Sequence, residues 1–99
     1  MAHHRVWLFR PPGGREQEFA HYYGADGEWA RLFRVAAGYI GTRLLRGTEP
    51  GWWMTIDSWA RAEDFERFEE AQRAAYQELD RKLEGVAGEE RFVGAFDDY

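Results

Sequence analysis

The chain has 99 residues, no cysteine, 17% aromatic residues and a formal charge of −5. That length holds one domain, residues 1–99, and the missing thiols exclude disulfides, thiolate metal sites and cysteine nucleophiles together. Negative charge disfavours phosphate-backbone binding, no apolar run approaches the roughly 20 residues that span a bilayer, and no secretory leader is visible, so a cytoplasmic protein with neither nucleic-acid nor membrane partners is expected.

Residues 5–10 are short, aromatic and followed by Pro11-Pro12-Gly13-Gly14, which reads as a strand stopped by a turn. His3 and His4 precede it as terminal residues, too few to define a metal site. A helix over residues 15–23 places Phe19, Tyr22 and Tyr23 near one face. Gly24-Ala25-Asp26-Gly27 breaks it, with Asp26 as N-cap of a second short helix. There Trp29, Leu32, Phe33 and Ala36 recur at helical spacing, while Arg31 and Arg34 point away. Residues 38–46 and 52–59 read as strands joined by a loop whose Pro50-Gly51 suits a type II turn. The longest element spans residues 61–83, with Phe65, Phe68, Gln72, Tyr76, Leu79 and Leu83 in one stripe and Gly85 as its C-terminal cap. Residues 90–97 form the last strand. The order β-α-(α)-β-β-α-β predicts an α+β, ferredoxin-like fold: a four-stranded antiparallel sheet with its helices on one face.

A sheet covered on one side only is normally polar on the other. Here both parities are apolar: Trp52, Met54 and Ile56 oppose Trp53 and Trp59, and Tyr39 and Leu45 oppose Ile40 and Leu44. A homodimer packed sheet to sheet, closing an α/β barrel, is the expected partner arrangement.

Gly27-Glu28-Trp29-Ala30-Arg31-Leu32-Phe33-Arg34, then residues 38–46 (GYIGTRLLR), then Thr55-Ile56-Asp57-Ser58-Trp59 leading to Phe65 and Phe68, together resemble the antibiotic biosynthesis monooxygenase family. The resemblance implies a dimeric ferredoxin-like α/β barrel and, as in some members, oxidation of an electron-rich aromatic by O₂ with no cofactor. Other members bind and degrade haem through a histidine on the second long helix. Between Phe65 and Leu83 there is no histidine, and the chain has no asparagine, the polar pocket residue of its best-known relatives. Haem degradation is therefore not expected.

Trp59 matches the family's pocket tryptophan; as a strand-end indole it serves either as a pocket wall or as core. Gln72 and Tyr76 lie one turn apart on an otherwise apolar stripe, so each needs a partner: a backbone group, Asp57, or a ligand. Asp57 shares parity with Thr55 and Trp59, which makes it either a general base in an apolar setting or the ion-pair partner of Arg43 across the hairpin. With Trp29, Phe33 and Trp59 as walls, Gln72 and Tyr76 would hold an oxyanion, and Arg43 is a further candidate substrate contact. His21, between Phe19 and Tyr22, reads as an exposed helical histidine. Two functions fit: a cofactor-independent oxygenase of a planar aromatic, or a non-catalytic dimeric module that binds a hydrophobic small molecule.

Overall fold

Period-two alternation of apolar residues and the helical stripes between them organise the computed structural model, which describes residues 1–99. Its elements are β1 (His3–Arg10), α1 (Glu16–Tyr23), α2 (Glu28–Phe33), β2 (Tyr39–Arg46), β3 (Trp53–Trp59), α3 (Ala62–Ala71), α4 (Arg73–Ala87) and β4 (Glu89–Asp97). The strands form one sheet in the order β2-β3-β1-β4, every pair antiparallel. This is the expected four-stranded ferredoxin-like sheet with helices on one face.

Four local expectations are corrected. His3 and His4 are strand residues: the His3 Nδ1 lies 2.8 Å from the Asp97 carboxylate, and His4 bridges the Ser58 hydroxyl and Asp98, each at 2.7 Å. Both sheet neighbours thus hold the start of β1. Asp26 does not cap α2, because its carboxylate accepts a hydrogen bond from the Arg34 guanidinium at 2.8 Å; Gly27 takes the cap position. The long helix is two helices meeting at Gln72, whose φ of −115° leaves the α region. Gly85 lies inside α4, and the helix ends at Gly88, where φ is +64° and an added Cβ would collide with the Arg10 carbonyl.

Register assigns the faces. Arg5 and Thr42 both oppose Asp57, Trp7 and Leu44 oppose Thr55, and Tyr39 and His3 oppose Trp59, so these residues share the helix-covered face. An irregularity between Tyr39 and Gly41 breaks strict alternation in β2. Tyr39 therefore joins Leu44 rather than Leu45, which corrects the simple parity count. The covered face carries an aromatic core in which Trp59 and Phe19 are fully buried and Phe9, Phe33, Phe65 and Phe68 surround them.

Candidate functional site

Between the covered face and the helices lies a cavity of about 50 Å³ that opens to solvent at its mouth. Its floor is Trp7 and Phe9 from β1, Thr42 from β2, and Thr55 and Asp57 from β3. Tyr23 of α1, Trp29 and Phe33 of α2, and Tyr76 and Asp80 of α4 wall it, and Glu90 of β4 completes it. Two periodicities deliver these groups. Thr55 and Asp57 are two apart on a strand, and Tyr76 and Asp80 are four apart on a helix, so each pair projects to one side.

Asp57 is the chemical centre. The Thr42 hydroxyl donates to its carboxylate at 2.6 Å, and Tyr39 and Thr42 share a second 2.6 Å hydrogen bond. A hydroxyl has one proton, so Thr42 spends it on the carboxylate and accepts from the Tyr39 phenol. Burial pushes the Asp57 carboxyl up to about 6, against the opposing pulls of the Thr42 hydrogen bond and the Arg5 charge. Arg5 lies with its guanidinium 3.9 Å from the Phe65 ring centre and 4.7 Å from that of Phe92. Burial, reinforced by Asp80, pushes the Tyr76 phenol up to about 12, so it stays protonated and keeps an O–H to offer a bound molecule. Asp57 can accept a proton at neutral pH while Tyr76 supplies a hydrogen bond.

Of the residues singled out in the sequence, the structure brings Asp57, Tyr76, Trp29 and Phe33 together on this cavity. The other three lie elsewhere. Arg43 opposes Ile56 on the uncovered face, and the hydrogen bond to Asp57 comes from Thr42 instead. Gln72 lines a separate hollow with Ala36, Arg67 and Phe68, because the break between α3 and α4 falls on it. Trp59 packs edge-on against Phe33, Tyr39 and Phe65 and does not line the cavity. Its buried indole N–H has no hydrogen-bond partner. The Trp29 N–H is likewise unpartnered; it lies toward the Tyr23 hydroxyl without reaching hydrogen-bond geometry.

Thr42, Asp80 and Glu90 were not singled out in the sequence, and Tyr39 and Thr55 entered only through their strand faces. Two threonines on otherwise apolar strands, and a tyrosine with an aspartate one turn on, were the signals available. No group of three or more histidine, aspartate or glutamate residues is placed to hold a metal ion, and no helix is long and apolar enough to cross a membrane.

No family model matches the sequence, and no curated protein matches it. Solved structures do. SnoaB, a cofactor-independent oxygenase from Streptomyces nogalater, superposes with a TM-score of 0.78 at 18% identity, covering 99% of this chain and 93% of that one. A candidate antibiotic biosynthesis monooxygenase from Bordetella bronchiseptica gives a TM-score of 0.71 at 20% identity, covering 99% and 97%. Another, from Nitrosomonas europaea, gives 0.67 at 12%, covering 98% and 89%. The chain shares, over its whole length, the fold of antibiotic biosynthesis monooxygenase family members.

Proposed function

We propose that the protein is a cofactor-independent monooxygenase that oxidises an electron-rich aromatic small molecule with O₂. A single observation carries this reading: a carboxylate of pKa about 6 opens onto an aromatic cavity beside a protonated phenol. Asp57 takes a proton from a phenol or anthrone, and the resulting electron-rich anion passes one electron to O₂. Recombination forms a carbon–oxygen bond, and protonation gives a hydroperoxide, which loses water to leave a carbonyl. One oxygen atom enters the product and the other leaves as water, with all four electrons drawn from the substrate. Tyr76 holds the developing oxyanion, and Trp29 and Phe33 keep the site dry. Trp59 supports this wall through Phe33, while Gln72 and Arg43 have no part in it.

Oxygen consumption with a panel of hydroxyanthrones in chelator-treated buffer tests the proposal. Tyr76→Phe is expected to lower kcat by about 100-fold, the usual cost of one oxyanion donor, with little change in melting temperature. Equal loss of activity and stability would make Tyr76 structural. The missing asparagine favours a second reading, a non-catalytic module for a hydrophobic ligand. Tryptophan quenching by planar aromatics without oxygen uptake would select it.

The same proposal includes a homodimer. The uncovered face exposes Ile40, Leu45, Val93 and Phe96 beside half-buried Val6, Leu8, Met54 and Ile56. Light scattering is expected to give twice the 11.6 kDa chain mass. A single-chain mass at micromolar concentration would overturn the dimer.

A further inference from the structure

The cavity is aromatic and acidic at once, a combination the proton transfer to Asp57 does not need. Three carboxylates line it, from Asp57, Asp80 and Glu90, and no lysine or arginine does. Asp80 and Glu90 make no ion pair. Lys82 holds Glu28 at 3.0 Å and Arg15 holds Glu18 at 2.8 Å; the Arg5 charge, set against Phe65 and Phe92, acts on Asp57 and Tyr76 and not on Glu90. Partial burial of its carboxyl, reinforced by the charges of Asp80 and Glu84, holds Glu90 above the usual range. Like charges gathered beside tyrosine and tryptophan rings attract a cation, both by direct pairing and through the ring quadrupoles.

We propose that the substrate is a cationic aromatic, its protonated amine held between Asp80 and Glu90 at the cavity mouth. The amine meets the Tyr23 and Tyr76 rings, and the aromatic body extends inward toward Asp57. Trp29, only 8% exposed, packs edge-on against the Tyr76 ring and walls the space for the aromatic body. An anionic aromatic of equal shape is rejected by all three carboxylates.

This inference rests on the cavity being the substrate site. Its test reads binding without turnover, by isothermal titration with three matched probes: naphthylmethylamine, naphthylmethanol and naphthylacetate. At neutral pH the amine should bind roughly tenfold more tightly than the alcohol, with the acetate weakest, and added salt should narrow the gap. The double variant Asp80→Asn with Glu90→Gln, both exposed positions, should melt as the parent does and lose the preference. Equal affinity for amine and alcohol, a preference that survives in the double variant, or failure of all three to bind would each overturn the inference. Intact amine preference without oxygen uptake from any aminoaryl phenol would overturn the oxygenase alone. Oxygen uptake without charge preference would overturn this inference alone.

Discussion

Asp57→Asn is expected to abolish oxygen uptake and, above about pH 6, to make the protein harder to unfold. The two effects have one cause. Folding raises the Asp57 carboxyl from an ordinary value of 3.8 to about 6. Between these values the folded chain keeps a proton that the unfolded chain has released. Stability from this group is therefore complete below about pH 4 and is lost as the pH rises through 6. At about 1.4 kcal/mol per unit, the parent protein carries a penalty of about 3 kcal/mol at neutral pH. Asparagine keeps a carbonyl oxygen for the Thr42 hydroxyl and never ionises. Urea unfolding should thus show the variant and parent nearly equal near pH 4 and about 3 kcal/mol apart near pH 8, the variant being more stable. A difference that does not change with pH would show that Asp57 is not desolvated. Persistent oxygen uptake would remove it as the base.

Trp59→Ala should be the most damaging single change, costing about 3–5 kcal/mol. Domains of this kind hold about 5–15 kcal/mol, so the variant is expected to lose about a fifth or more of its stability and, at the low end of that range, to be only marginally folded. Trp59 is 0% exposed, and the ring centres of Phe33, Phe65 and Phe68 lie within 5.5 Å of its own. Nothing nearby is free to collapse into the gap. Trp59→Phe removes less volume and also deletes a buried N–H that has no partner, so its cost should be smaller. Denaturant melts will rank the three proteins. Ligand affinity of Trp59→Phe should match the parent, because the cavity is built without this ring. A changed affinity at unchanged stability would restore Trp59 to the binding site.

The contrast between these two residues shows what could be read from the chain. Strand parity alone put Asp57, Thr55 and Trp59 on one face, and the register agrees. Parity says nothing about depth along the strand, and depth separates a cavity carboxylate from a core indole. Helical periodicity put Tyr76 and Gln72 on one stripe, whereas the structure sets Tyr76 on the cavity and Gln72 on a separate hollow. A stripe extrapolated through residue 72 assumes an unbroken helix, and the backbone leaves the helical region there. Arg43 failed by one position: opposite charges suggested an ion pair, but the cross-strand partner of Asp57 is Thr42. Pairing register depends on both strands and on the irregularity near Ile40, which no local pattern announces. The type and order of the strands and helices depend only on local patterning, which is why they were legible.

The junction at Gln72 gives the two helices separate duties. Its amide N–H binds the Phe68 carbonyl at 2.8 Å and its own carbonyl receives the Tyr76 N–H at 2.9 Å, so Gln72 closes one helix and opens the next. Before the junction, Phe65 and Phe68 are committed to the core; after it, Tyr76 and Asp80 face the cavity. Substitutions at Tyr76 and Asp80 can therefore accumulate without disturbing the packing on Trp59. A lineage built on this fold can drift from one substrate to another through the cavity-facing positions of α4, while Phe65 and Phe68 of α3 and Leu83, Val86 and Ala87 of α4 keep the protein folded.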